Sequence, residues 1–149
     1  MQTLTTLDRS EVLRYLGWKG SEIPAALEET LRRCIRELCE SARPAWVYRR
    51  FSLARAGGGL LLSPSSLLLT GNDIAAHLSG CGEVFLLCAT IGLGPERLIR
   101  SRMVTNPEEG VILDACATQA IEQTADLAED EIAALCRAEG RGLTWRFSP

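Results

Sequence analysis

Leu27, Leu31, Cys34, Ile35 and Leu38 recur at helical spacing, and Arg32, Arg33, Arg36 and Glu37 fall between them for solvent. That pattern predicts a helix with Pro24 in its first turn, ending before Pro44 because a residue preceding proline is pushed out of helical dihedrals. A shorter helix is predicted through Glu11–Leu16, with Asp8 or Ser10 as its cap and Gly17 as its stop. From Ala45 to Ala54 the chain is rich in β-forming residues, and Ala56-Gly57-Gly58-Gly59 turns it into Leu60-Leu61-Leu62, which predicts a hairpin of open register. Thr70 with Asp73 three residues on resembles a capping box, Asn72 being the alternative cap, for a helix closing at Gly80. Glu83–Ile91 is short and apolar on both faces, which predicts a central strand. Gly92-Leu93-Gly94-Pro95 then leads into a helix through Arg97, Leu98, Ile99 and Met103. Asn106-Pro107-Glu108-Glu109 combines a capping amide, a first-turn proline and acids facing the positive helix end, so a long helix is predicted from there towards Glu139, with Gly140 as terminator. At about 50 Å it has room for a kink. Leu143–Phe147 is read as a final strand, and the whole as an α+β layered domain.

Length and composition narrow the class. With 149 residues and 46% hydrophobic content the chain is expected to close one core, residues 1–149 forming a single domain. The net charge of −3, from 16 basic and 19 acidic residues, gives no field that would gather a phosphate backbone, so nucleic acid is not an expected partner. The longest apolar stretches, 58–62 and 84–94, are far shorter than the roughly 20 residues of a membrane span. The first residues lack the charged and apolar regions of an export signal, and a cytoplasmic location is expected. Six cysteines without a C-x-x-C pair are expected to be reduced thiols, with no protein-bound metal.

Candidate chemistry is sparse. Gly92-Leu93-Gly94, after a buried strand and before a helix, stands where a phosphate loop would sit, but Arg97 occupies the place of a third glycine; an ordinary glycine-assisted turn is the competing reading. His77 is the sole histidine and is read as packed or at a rim rather than as a base. Asp114, Glu122, Asp126, Glu129, Asp130 and Glu131 form an acidic run, read as a solvated face with partner docking as the alternative. A capping role accounts for Asp73, whereas Asp114 sits in small, apolar sequence without one. Arg146, between Trp145 and Phe147, places at a strand end a guanidinium able to grip a carboxylate through two parallel hydrogen bonds; the plainer reading is an ion pair with a nearby acid.

Taken together, Glu11–Gly20, Leu69–Gly80, Leu113-Asp114-Ala115-Cys116-Ala117-Thr118 and Arg146-Phe147-Ser148-Pro149 resemble, in the same order, the short stand-alone relatives of the S-adenosylmethionine-binding activation domain of vitamin B12 (cobalamin)-dependent methionine synthase. The resemblance implies a mostly antiparallel sheet packed with helices, including one long helix. It implies S-adenosylmethionine as ligand, with Arg146 holding its carboxylate and Ser148 and Pro149 lining the start of the pocket. It also implies cobalamin carried by a partner, a corrinoid-binding methyltransferase or methionine synthase core, with a flavodoxin-type reductant, and no catalytic side chain, since the protein's task would be to hold donor and corrin in line. The family's run continues Gly-Tyr after the proline, and the sequence stops at Pro149, so the family's C-terminal segment is expected to be lacking. Two alternatives are a module that docks on a corrinoid protein without binding S-adenosylmethionine, and a nucleotide-binding protein using the Gly92-Leu93-Gly94 turn.

Overall fold

The computed structural model describes residues 3–20 and 22–148. The elements run α1 (Arg9–Tyr15), α2 (Ala25–Ser41), β1 (Ala45–Ala56), β2 (Gly59–Ser63), β3 (Leu67–Leu69), α3 (Asn72–His77), β4 (Glu83–Thr90), α4 (Leu93–Thr105) and α5 (Pro107–Ala138). The sheet has the order β3-β2-β1-β4. The β1–β2 and β2–β3 pairs are antiparallel. The chain divides into two compact units, one of residues up to Trp46 with Ala89–Ala128, the other of Val47–Cys88 with Glu129 onward.

In the first unit, α1 is capped by Asp8, whose carboxylate accepts from the backbone N–H of Ser10 at 2.9 Å. Gly17, at φ +72°, ends it: the Trp18 N–H donates to the Leu13 carbonyl and the Gly17 N–H to that of Arg14, the paired bonds of a Schellman motif. Pro24 stands one residue before α2 rather than inside its first turn. Leu31, Cys34 and Leu38 of α2 pack with Ile112, Leu113, Cys116 and Ala120 of α5 and with Leu4, Leu7 and Val12 in a buried apolar core. Arg33 and Arg102 both pair with Glu109, and Arg102 also donates to Glu37 at 2.6 Å, which ties α2 and α4 to the first turn of α5.

In the second unit, Gly57 and Gly58 form the two-residue turn of the β1–β2 hairpin, both at positive φ, as the primed hairpin turns require. The register pairs Leu53 with Leu62 and Arg55 with Leu60. A Cβ on Gly59 would meet the Leu69 carbonyl oxygen at 2.5 Å, so β3 approaches β2 as closely as glycine allows. The buried phase of β1 shifts by one residue, from Tyr48 and Arg50 to Phe51 and Leu53. Buried Phe51, Leu60, Leu62 and Leu78 supply apolar surface here, with Ile132 and Cys136 from the last turns of α5.

Several expectations are corrected. β4 lies at a sheet edge, not centrally: its apolar run reads as two-sided, yet Leu86 and Cys88 are exposed while Phe85 and Leu87 are half-buried. The segment Leu143–Phe147 is not a strand; it pairs with no other strand. β3 was not anticipated. No capping box forms at α3, where Gly71 at φ +126° is the N-cap without a side-chain bond, and the helix ends at His77 rather than running on to Gly80. At the end of α5, Gly140 terminates as expected: the Arg141 N–H donates to the Cys136 carbonyl and the Gly140 N–H to that of Arg137.

Candidate functional site

The second unit gathers the candidate side chains where the segment after α5 doubles back along that helix. Once the Schellman motif at Gly140 has reversed the chain, Arg141 pairs with Glu83 at the start of β4. Five residues further on, Nη1 of Arg146 donates to Oε2 of Glu129 at 2.8 Å, nine residues back from the helix end. The two side chains keep 25% and 32% of their surface open, so the pair is reachable from solvent.

Trp145 and Phe147 flank Arg146 and turn to a different partner. The imidazole of His77, at the end of α3, stands 5.4 Å from the Trp145 ring, edge to face, and 5.3 Å from that of Phe147. The two rings anchor the segment to α3, while the guanidinium between them reaches Glu129 of α5. Trp145 nevertheless keeps 76% of its surface exposed, and Leu143 and Phe147 39% each.

The base of α5 is tied to the sheet nearby. Tyr48 donates its hydroxyl proton to Glu131 at 2.7 Å, a bond that pushes the phenol above its usual range. Arg50 forks onto Glu139 through two bonds of 2.8 and 2.7 Å, and these hold the Glu139 carboxyl below the ordinary carboxylate value.

Of the residues singled out in the sequence, Arg146 and exposed Ser148 lie on this returning segment, and Pro149 lies outside the described residues. Asp114 is exposed on α5. In the acidic run Asp114, Asp126, Asp130 and Glu131 are exposed and Glu122 and Glu129 half-buried, with Glu129 and Glu131 hydrogen-bonded. Gly92-Leu93-Gly94 belongs to the first unit, where the glycines serve packing: a Cβ on Gly94 would collide with the Ser41 carbonyl, and one on Gly92 would crowd Arg43 at 3.3 Å. Among the described residues no group of three His, Cys, Asp or Glu side chains is placed to hold a metal ion, and no helix is long and apolar enough to cross a membrane. All six cysteines are free thiols.

Neither the protein-family models nor the curated proteins contain a match to this chain. The functional reading therefore rests on the residues themselves. The sequence pointed to Arg146 and to an acid as its bland partner; that the acid is Glu129, and that His77 seats the two flanking rings, required the reversal after Gly140 and left no mark in local spacing.

Proposed function

We propose that this chain is an S-adenosylmethionine-binding activation module for a cobalamin-dependent methyltransferase such as methionine synthase. The supporting observation is the seat of Arg146: a partly buried guanidinium, accessible from solvent, that already takes a carboxylate at 2.8 Å. The α-carboxylate of the ligand is the same chemical group as the one Glu129 offers, so the donor fits the amino-acid end of S-adenosylmethionine. Support also comes from His77, through which the Leu69–Leu78 block is in contact with the closing segment, joining the two stretches that resemble the activation-domain family. When bound, the ligand supplies a sulfonium methyl group; the chain's own work is to hold the amino-acid end and fix its direction. The corrinoid belongs to a partner protein in this reading, and a flavodoxin-type reductant serves that partner.

Calorimetric titration with S-adenosylmethionine tests the proposal. Binding should be lost in Arg146→Ala and survive in part in Arg146→Lys, which keeps the charge without the fork. Equal binding by wild type and Arg146→Ala overturns it.

A second reading, docking on a corrinoid protein without S-adenosylmethionine, is favoured by the exposure of Leu143, Trp145 and Phe147 on the same segment. It expects complex formation with a purified corrinoid protein in the absence of ligand, and weakening of that complex by Trp145→Ala.

A further inference from the structure

We infer that Glu129 is an internal competitor for the ligand site, a carboxylate borne on α5 that occupies the Arg146 guanidinium until a ligand carboxylate displaces it. The inference rests on the proposed role of Arg146 and adds a regulating residue to it. Its basis is chemical identity and position. Oε2 of Glu129 lies 2.8 Å from Nη1, the place where an oxygen of an incoming carboxylate would have to sit. A ligand carboxylate that takes this N–H displaces Glu129, so entry there is an exchange of one carboxylate for another.

Exchange of this kind is kinetically and energetically feasible only where both partners can reach water, and here each keeps a quarter to a third of its side-chain surface exposed. The segment carrying Arg146 is anchored independently of the ion pair, by Trp145 and Phe147 on His77 and by Arg141 on Glu83. Loss of the Glu129 contact therefore leaves the backbone that carries the guanidinium in place. An ion pair of this exposure, if worth a factor of about five, holds the arginine closed in roughly five molecules of six, and apparent ligand affinity falls by about sixfold.

The test compares wild type, Glu129→Gln and Arg146→Ala by titration with S-adenosylmethionine and with 5′-methylthioadenosine, which keeps the adenosine and the methyl-bearing sulfur, as a neutral thioether in place of the sulfonium, and has no carboxylate. Glu129→Gln should bind S-adenosylmethionine about sixfold more tightly and 5′-methylthioadenosine as wild type does. Binding by Glu129→Gln where wild type shows none supports the inference as well. Unchanged or weaker S-adenosylmethionine binding by Glu129→Gln, with binding still lost in Arg146→Ala, overturns the competitor while leaving the role of Arg146 intact. No binding by either wild type or Glu129→Gln, or wild-type affinity in Arg146→Ala, overturns both.

Discussion

His77 and Trp145, separated by 68 positions in sequence, meet edge to face with their ring centres 5.4 Å apart. The contact fastens a segment that has no sheet partner to the end of a six-residue helix, and Phe147 adds a second ring at 5.3 Å. Ring contacts of this kind contribute about 0.5–1.5 kcal/mol each, enough to hold a segment locally but not to hold the fold.

His77→Ala should therefore release the closing segment with little effect on global stability. Tryptic cleavage at the Arg146–Phe147 bond is expected to quicken about tenfold, the factor that corresponds to about 1.4 kcal/mol, while the thermal midpoint moves by no more than about 4 °C. A large drop in midpoint with no change in cleavage would show that His77 serves the core instead.

Gly94 separates packing from phosphate binding at the Gly92-Leu93-Gly94 turn. A Cβ there collides with the Ser41 carbonyl, which belongs to the end of α2 and cannot move without shifting that helix. Gly94→Ala is expected to cost about 1–3 kcal/mol by chemical denaturation, whereas Gly82→Ala, which meets nothing within 4 Å, should be close to neutral. Equal tolerance of the two would remove the packing account.

Acid should loosen the first unit through Glu109. Burial pushes its carboxyl up, but hydrogen bonds and charge from Arg102 and Arg33 outweigh that and hold it below the ordinary 4.5. A carboxylate with a depressed folded value contributes stability that is fully present above its unfolded value and lost as pH falls through the folded one, so the loss is expected below about pH 4.5. Arg102→Ala, which leaves Glu37 and Glu109 short of a partner, should destabilise by about 2 kcal/mol near neutral pH and flatten the acid limb of a stability-against-pH curve.

Local chemistry explains which parts of this fold were legible. Gly57-Gly58 can scarcely be anything but a tight turn between β-forming runs, and Asn106-Pro107 announces α5, with Asn106 Oδ1 accepting from the Glu109 N–H at 3.4 Å. Leu67-Leu68-Leu69 carries no period by itself and becomes a strand only because β2 offers it a register, a non-local fact. Thr144, Trp145 and Phe147 have the composition of a strand, but their rings are satisfied on His77 and the backbone joins no ladder. Thr70 and Asp73 carry the letters of a capping box, and Gly71 at φ +126° takes the capping position instead. At the candidate site Arg146 was legible as an unusual cation, while Glu129 was one acid among eight on the same helix until the chain reversal selected it.

The thiols should divide sharply by reactivity. Burial pushes Cys116 up to about 12 and Cys34 up to about 11, and both are fully enclosed in the first-unit core, so neither supplies thiolate at neutral pH. Cys136 is also buried, Cys39 and Cys81 are half-buried, and Cys88 is exposed on β4. With an aromatic disulfide reagent at about pH 8 the native chain should release one equivalent quickly, from Cys88, with slower reaction at Cys39 and Cys81. Cys34, Cys116 and Cys136 are expected to react only at the rate of unfolding, and together in denaturant. Peptide mapping of the labelled chain identifies each site, and early modification of Cys34 or Cys116 would contradict the enclosed core.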